Sequence, residues 1–564
     1  MAQSKKPDGA RTPTREEEAR RDLGNTLVST PKAWFLVLFF LVGIYGVPLT
    51  QVTIELVDEE EGVPTPLAVG KVVGSAVEGW RTDGGFFNRL MASNAAALRA
   101  IDLYEEEVED RSFLTKTLLG PVQEVLTRIF GLGNEEAYIG RDGWLFYRAD
   151  VDHLTGPPFL SPEWLDARSM AGNEYAGPPQ PDPRKAILQF QEQLADRGIR
   201  LLIMPTPVKP SIEGRALVLA PGRVSPPIVN ASFKPFLGEM KSSGVQVFNP
   251  VPLLANFEEK SGTPAYLKTD THWSFEGMQA VARELAANLE TENPGGGYET
   301  SEETVTNLGD IAVMLRLPEA ENVIQPETVQ LQRPQGEPTS DKRILLLGDS
   351  FTNIYSQEGL GWGADAGLAE QLQAASGRPV EKIALNAGGA HAARTELIRR
   401  LSRGRDPLAG VDTVVWQFAT RELSQGDWRL MELPEATPST EVRESAPMAD
   451  DDASIPVTGV IVERTFAPAP GSVPYPDCLV SLHLRDVRTA DGSDLPDELL
   501  VYTWGLQDGE WVHQSFEAGQ RVQVELAPWQ VYEEDYGSLN RKELLSEAAF
   551  LLDLYWAPKV NPAN

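Results

Sequence analysis

Cysteine is nearly absent from the sequence, which contains a single one, Cys478, among 564 residues. One cysteine excludes an intramolecular disulfide framework and any metal site built from several thiolates. Histidine is also scarce, so a reaction that needs an imidazole base has few candidates. The five histidines are His153, His272, His391, His483 and His513.

Positive charge is the second deficit. Lys and Arg total 50 whereas Asp and Glu total 82, which gives a formal net charge of -32 at pH 7. Binding of nucleic acid requires a basic surface, so we expect no nucleic-acid partner. Hydrophobic residues make up 41% of the chain, which is enough for a sizeable core and excludes wholesale disorder.

Long apolar runs are missing except for one, residues 33–49, which carries no charge. This run is just long enough to span a bilayer. Basic residues precede it and acidic residues follow it, so the positive-inside rule predicts a cytoplasmic N-terminus and an exported remainder. We expect an uncleaved membrane anchor; a cleaved signal peptide and a buried core helix are the alternatives.

Composition and periodicity divide the chain into segments. Residues 182–424 alternate helix and strand signals, which predicts a mostly parallel sheet with helices on both faces. Residues 456–536 contain short runs rich in β-branched residues and separated by turns, which predicts an all-β module. A terminal helix is expected over residues 541–554. The predicted order is a disordered cytoplasmic tail (1–32), a transmembrane anchor (33–49), a helical stalk or linker (50–129), an α/β domain (130–428), a linker (429–455) and a β-rich C-terminal domain (456–564).

The strongest local signal is the sequence RILLLGDSFTN at residues 343–353. A buried strand ends at Gly348, which puts Ser350 at the carboxyl end of a parallel strand, where open α/β sheets keep their sites. A nucleophilic serine there would have its own backbone N–H directed at a developing oxyanion. The alternative is that Ser350 only caps a helix.

A second signal is KTDTHWSFEG at residues 268–277. Asp270 and His272 are two positions apart, so in an extended chain they project to the same side. A carboxylate beside an imidazole fixes its tautomer, and the imidazole then accepts a proton from a serine hydroxyl. A metal site and plain hydrogen-bonded structure are the alternatives. Further ligands at a motif-like spacing are not found, so no metal is expected.

The two segments together carry a resemblance. With YIGRDGWLFY upstream, where Asp142-Gly143 predicts a hairpin turn, and with IMPTPVKPSIEG before TDTHW, the GDSF segment resembles the alginate O-acetyltransferase family. Its members are SGNH-hydrolase-like proteins related to the periplasmic acetylation factors J and X, and the resemblance covers about residues 130–425. Ordinary SGNH hydrolases have the Asp and His after the serine; here they precede it, as in this permuted family.

The resemblance implies roles for three residues. Ser350 would be the nucleophile, His272 the base and Asp270 the residue that orients the base. The family passes acetyl from an acetyl-serine to a hydroxyl of an exopolysaccharide, and no cofactor is implied. A multi-pass membrane O-acyltransferase is the implied partner on the acetyl-donor side. The implied location is the bacterial inner membrane, with domain 130–428 in the periplasm as the SGNH-like catalytic domain.

Weaker candidates surround these motifs. In LNAGGA (385–390), Asn386 with Gly388 or Gly389 occupies the place where SGNH enzymes keep oxyanion donors, although flexible glycines can simply make a turn. Substrate contact is a candidate role for Arg421 and Lys209 at strand ends, with ion pairing the alternative for Arg421.

The β-rich segment offers aromatic residues that would either hold a glycan or pack its core. These are Tyr502, Trp504, Trp511 and Trp529. Cys478 lies within an apolar strand and is expected to be buried.

Two other functions use the same sequence features. A carbohydrate esterase or deacetylase would use the same three residues and let water attack the acyl-enzyme. A scaffold subunit of an export complex would bind glycan without catalysis.

Overall fold

A computed structural model gives the fold of the following residues. These are 29–57, 64–81, 85–171, 178–218, 222, 227–289, 298–434, 454–468, 473, 475, 477–489, 495–512, 516, 518–537, 539–544 and 552–563. The chain divides into two compact units, Met1–Gly120 and Pro121–Asn564. Most of the expected tail (1–32) and linker (429–455) lies outside the described residues.

The apolar run near the N-terminus belongs to a longer helix, α1 (Thr30–Val57). Within the described residues, α1 is the one helix long and apolar enough to cross a membrane, and its most apolar stretch is not buried by protein. The helices that follow are α2 (Gly70–Trp80), α3 (Phe86–Arg111) and α4 (Phe113–Phe130). The predicted single N-terminal apolar helix is therefore confirmed.

After α4, the second unit continues with a β-hairpin and an α/β domain. Its strands are β1 (Ala137–Ile139), β2 (Leu145–Tyr147), β3 (Arg200–Thr206), β4 (Gln246–Val247), β5 (Glu299–Asn307), β6 (Glu327–Gln335), β7 (Arg343–Gly348), β8 (Val380–Ala384) and β9 (Val411–Ala419). Its helices are α5 (Arg148–Thr155), α6 (Pro162–Ser169), α7 (Pro183–Ala195), α8 (Lys209–Glu213), α9 (Phe233–Ser242), α10 (Val251–Ala255), α11 (Phe257–Ser261), α12 (Phe275–Asn288), α13 (Asp310–Met314), α14 (Ser350–Asn353), α15 (Leu368–Ser376), α16 (Ala392–Ser402) and α17 (Glu422–Gln425).

The hairpin has the turn that its sequence predicts. Asp142 and Gly143 adopt φ angles of 56° and 82°. Positive φ at both central residues defines the type I′ turn, whose twist matches that of the two paired strands. Strands β1 and β2 pair antiparallel on either side.

The domain is built on a five-stranded parallel sheet in the order β4-β3-β9-β7-β8. Successive side chains of a strand point to opposite faces, and β9 is buried at nearly every position, so both faces are covered. This confirms the predicted architecture. All strands of a parallel sheet end at the same edge, so the segments after β3, β7, β8 and β9 converge there.

The C-terminal module is a closed barrel. Its elements are β10 (Ile455–Arg464), β11 (Cys478–Thr489), β12 (Glu498–Gln507), β13 (Glu510–Trp511), β14 (Arg521–Pro528), α18 (Trp529–Tyr536), β15 (Asn540–Lys542), β16 (Leu554–Trp556) and β17 (Val560–Pro562). The pairs β10–β11, β11–β12, β12–β16, β16–β14 and β14–β10 complete a ring. The predicted all-β module is confirmed.

The expected terminal helix over residues 541–554 is wrong at both ends. Residues 540–542 form β15 beside β11, and residues 554–556 form β16 beside β12; residues 545–551 lie outside the described part. Leu544 and Leu554 pack into a core cluster of the barrel. Burial against the barrel has therefore overridden the local helix preference of this segment.

The barrel aromatics fill its core. Tyr502, Trp504 and Trp529 are buried with Trp556 in one cluster, which favours packing over glycan contact for these residues. Trp511 is half-buried against another cluster. Cys478 is fully buried, as expected.

Buried charges join the barrel to helix α16. Arg399 pairs with Glu396 on its own helix at 2.6 Å and with Glu543 of the barrel module. Arg541 lies 3.0 Å from Glu396 and 2.7 Å from Glu543. Charges removed from water are costly unless each is paired, so this network favours one docking geometry between barrel and α/β domain.

Arg399→Ala should lower the free energy of unfolding by about 3 kcal/mol, because the buried carboxylates of Glu396 and Glu543 both lose a partner and must then share Arg541. Arg405→Ala is the matched control. Its pair with Glu533 also links the two modules, but the arginine side chain is 50% exposed, so a loss of at most about 1 kcal/mol is expected. Urea unfolding of the full chain measures both variants, and equal losses would contradict the argument.

Candidate active site

Ser350 lies at the sharp turn between β7 and α14. A side chain at Gly348 would collide with Thr352, so the turn requires glycine. Asp349 caps α14 by accepting the Phe351 N–H at 2.9 Å, and its second oxygen accepts the Ala419 N–H at 2.9 Å. Asp349, rather than Ser350, therefore performs the capping role, and the turn is tied to the end of β9.

The TDTH segment brings an imidazole to this serine. His272 Nε2 is 2.8 Å from Ser350 Oγ, and His272 Nδ1 is 2.6 Å from Asp270 Oδ1. The backbone N–H of His272 donates to the same carboxylate oxygen at 3.0 Å. Asp270 and His272 are both buried. The three residues singled out from the sequence thus form one continuous chain of hydrogen bonds.

Two further residues hold the carboxylate in place. Trp362 donates its indole N–H to Asp270 Oδ2 at 2.8 Å, and the backbone N–H of Asp310 donates to the same oxygen at 3.0 Å. Sequence reasoning missed both residues. Asp310 follows a glycine and begins a short helix, which was its only local signal, and Trp362 had none.

Burial and charge act in opposite directions on this pair. Burial alone would lower the pKa of His272, but the Asp270 carboxylate raises it, and the net pKa is above the ordinary value. Burial alone would raise the pKa of Asp270, but His272 and the Trp362 hydrogen bond bring the net pKa below its ordinary range. An ionised carboxylate beside a more basic imidazole suits acceptance of the serine proton.

Lys209 lies in the core, at the start of α8. Its ammonium is fully buried and donates to the carbonyl oxygens of Leu267, Lys268 and Asp270 at 3.2, 3.1 and 2.6 Å. Burial lowers the pKa of Lys209 to about 8. These contacts favour a role in fixing the TDTH segment rather than the expected contact with substrate.

Arg421 pairs with a buried acid that the sequence did not reveal. Its guanidinium donates to Asp150 at 3.0 Å and lies 5.6 Å from the centre of the Tyr147 ring. Glu422, the next residue in the chain, is farther away at 3.8 Å. Burial raises the pKa of Asp150, although Arg421 opposes the rise. The pair links the end of β9 to helix α5.

The loop after β8 places Asn386 within a chain of amides. Asn353 donates to its side-chain oxygen at 2.9 Å, and Asn386 donates to Gln357 at 2.8 Å. Gly389 has a φ of 67°, in the left-handed region, and a side chain at Gly388 would collide with Ala392. The turn requires both glycines, and the oxyanion role of Asn386, Gly388 and Gly389 stays a prediction.

The other described histidines have different surroundings. His153 is hydrogen-bonded to Ser424 at 2.6 Å, and burial lowers its pKa to about 3. His483 lies 3.1 Å from Glu498 in the barrel. Burial lowers the pKa of His391. His513 lies outside the described residues.

The cluster of acidic side chains around His272 could also be considered as a metal site. Asp270, His272 and Asp310 each offer one ligand-type atom, all within 4.8 Å of one another. In the observed arrangement His272 Nδ1 and Asp270 Oδ1 are already joined by a hydrogen bond, and Nε2 faces Ser350. These bonds favour a proton relay over metal ligation.

The fold and the site define an SGNH-like α/β protein with a serine–histidine–aspartate arrangement. The family described as "SGNH hydrolase-like domain, acetyltransferase AlgX" matches residues 137–420, half of the chain, and the chain belongs to this family. The curated "Probable alginate O-acetylase AlgJ" of Pseudomonas aeruginosa is 23% identical over 320 residues, which cover 52% of this chain and 72% of that protein. Family and relative together support an acetyltransferase.

Two solved structures are also similar. The O-acetyltransferase domain of Pseudomonas putida AlgJ is 18% identical, with a TM-score of 0.39, and the match covers 52% of this chain and 93% of that chain. Pseudomonas aeruginosa AlgX is 17% identical, with a TM-score of 0.39, and the match covers 58% of this chain and 77% of that chain.

Lys209→Met should destabilise the protein by about 1–3 kcal/mol, because the change leaves buried carbonyl oxygens without their donor. The control is Lys268→Met, which removes an ammonium from a half-buried side chain of the same segment and keeps its backbone contacts. Urea unfolding compares the two variants. Wild-type stability of Lys209→Met would refute the positioning role.

Proposed function

We propose that this chain is a membrane-anchored, extracytoplasmic O-acetyltransferase that moves acetyl groups onto hydroxyls of an exopolysaccharide through an acetyl-serine. The observation that carries the proposal is the unbroken hydrogen-bond chain from Ser350 through His272 to Asp270, in a member of an acetyltransferase family. The same three positions would serve as nucleophile, base and orienting carboxylate.

In the first half-reaction, Ser350 Oγ attacks the carbonyl carbon of the acetyl donor while His272 Nε2 accepts the hydroxyl proton. The bond to the donor's leaving group then breaks, and the imidazolium returns the proton to that group. Asp270 holds the proton on Nδ1 and stabilises the positive ring without being protonated itself. The product is an acetyl ester on Ser350.

In the second half-reaction, a sugar hydroxyl gives its proton to His272 Nε2 and attacks the acetyl carbonyl. The ester bond to Ser350 breaks, and the serine oxygen recovers the proton. Transfer and hydrolysis differ only in whether a sugar or water attacks at this stage, so an esterase would share every residue of the site. Candidate oxyanion donors are the N–H of Ser350 and the groups of Asn386, Gly388 and Gly389.

Location and partners form part of the proposal. Helix α1 would anchor the chain in the bacterial inner membrane and leave the α/β domain in the periplasm. A multi-pass membrane O-acyltransferase would bring the acetyl group across the bilayer to this site. The alginate named for the relative suggests a polysaccharide acceptor for this chain.

Ser350→Ala should reduce release of acetate from p-nitrophenyl acetate by about 10³-fold or more, because the nucleophile is lost. Ser243→Ala, at an exposed position of the same unit, is the control and should keep wild-type activity. Intact-protein mass spectrometry should detect the acetyl adduct in the wild type and the control. Full activity of Ser350→Ala would exclude this nucleophile.

A second readout separates transfer from hydrolysis. Oligosaccharides of the candidate polymer are added to the acetyl-enzyme, and acetylated sugar and free acetate are both quantified. Acetylated sugar supports the transferase. Acetate alone, at every sugar concentration, supports the esterase instead.

The Ser350-dependent rate should rise with pH along a single acid limb. Neutral His272 is the active form, and the raised pKa of His272 places the midpoint of the limb above its ordinary value of 6.5. The pH profile of kcat/KM measures this limb. Asp270→Asn removes the charge that raises the pKa, so it should move the limb to lower pH and lower the plateau by about 10³-fold or more. A rate independent of pH would contradict the assignment of His272.

A further inference from the structure

A second carboxylate lies against the proposed base. Asp310 Oδ2 is 3.8 Å from His272 Nδ1, the ring nitrogen that also contacts Asp270 at 2.6 Å. The side chain of Asp310 is only 15% exposed. This edge of the imidazole therefore faces two acids, one through a hydrogen bond and one at short electrostatic range.

The local backbone is built to bring Asp310 to this place. Gly309 adopts a φ of 81°, and a side chain there would lie 2.6 Å from the backbone of Thr269, so the close approach requires glycine. The N–H of Asp310 donates to Asp270 at 3.0 Å, and the N–H of Thr271 donates to Asp310 Oδ1 at 2.6 Å. The segment of Asp270 and the segment of Asp310 are thus joined by two hydrogen bonds.

A neutral asparagine would accept the same bond from Thr271 and would avoid placing two carboxylates side by side. Burial and the charge of Asp270 both raise the pKa of Asp310, which is the electrostatic cost of a carboxylate here. A carboxylate retained at such a cost needs a positive partner. Two positive groups interact with Asp310: the buried ammonium of Lys209 and, once it is protonated, His272.

The other charges near the imidazole do not replace this interaction. Arg421 repels the imidazolium and lowers the pKa of His272, whereas Asp270 and Asp310 raise it. Asp150 forms an ion pair with Arg421. The buried ammonium of Lys209 interacts with Asp270 and with Asp310. Asp310 therefore helps Asp270 to offset the repulsion between Arg421 and the His272 imidazolium.

On the basis of the proposed serine mechanism, we propose that Asp310 is a positioning residue that acts through His272, stabilising its imidazolium and holding Nε2 towards Ser350. When the serine proton moves to Nε2, the ring becomes positive and the proton on Nδ1 stays with the bond to Asp270. Asp310 balances the new charge without exchanging a proton. The site would then consist of a serine, a histidine and two carboxylates, of which Asp270 is hydrogen-bonded to the ring and Asp310 acts through its charge.

Asp310→Asn tests this role, because asparagine keeps the size and the acceptor for Thr271. Loss of the charge lowers the pKa of His272, so the acid limb of kcat/KM for p-nitrophenyl acetate should move to lower pH by about half a pH unit or more. The plateau rate should fall about three- to tenfold. Asp310→Glu, which restores a negative charge, should return the limb towards the wild-type position.

Glu327→Gln is the matched control. Glu327 accepts hydrogen bonds from the backbone N–H groups of Lys268 and Thr269 and so stabilises the same segment. These bonds reach the backbone before Asp270 and not the imidazole ring of His272. This variant should leave the limb in place even if it lowers the rate. An unmoved limb in Asp310→Asn, or an equal movement in Glu327→Gln, would overturn the inference.

Direct titration keeps this test independent of turnover. NMR of isotope-labelled histidine in the full chain, assigned with His272→Gln, should show a lower His272 pKa in Asp310→Asn. An unchanged titration refutes the role of Asp310, whereas absence of Ser350-dependent turnover in the wild type refutes the proposed function. Thermal melting checks folding, and Asp310→Ser replaces Asp310→Asn in every measurement if the latter does not fold.

Discussion

The hydrogen bond between Asp270 and His272 is the interaction on which the site depends. A buried carboxylate is stable only when donors surround it, and Asp270 accepts from the ring and backbone of His272, from Trp362 and from the backbone of Asp310. These donors fix the ring so that its other nitrogen faces Ser350. The alignment of Asp270, His272 and Ser350 is therefore a consequence of satisfying one buried charge.

The parallel sheet explains how segments far apart in sequence meet at this point. Strands β3, β7, β8 and β9 end at one edge, and the loops that follow carry Lys209, Ser350, Asn386 and Arg421. Asp349 ties the loop after β7 to the end of β9 through the Ala419 N–H. The TDTH segment comes from outside the sheet, so it needs its own supports, and the buried ammonium of Lys209 is one of them.

The described part of the barrel module is tied to the α/β domain by buried charges. Tyr502, Trp504, Trp529 and Trp556 are buried within it, and Tyr502 donates to Glu543 at 2.8 Å within the charge network that contacts α16. Helix α16 follows directly on the loop of Asn386 and the two glycines. The ion pairs with the barrel therefore hold α16 in place. This helix begins just after the loop that carries the candidate oxyanion donors.

Local sequence patterns were sufficient for the strand before Ser350, the Asp142-Gly143 turn, the apolar helix and the order of sheet and barrel, because periodicity and turn chemistry act between near neighbours. The family resemblance pointed to Ser350, His272 and Asp270. Only the tertiary structure revealed Trp362, Asp310 and Asp150, the burial of Lys209 and the strands in place of the terminal helix. These features depend on residues that are far apart in sequence; Asp270 and Trp362, for example, are separated by 92 positions. Packing across the whole domain decides such contacts.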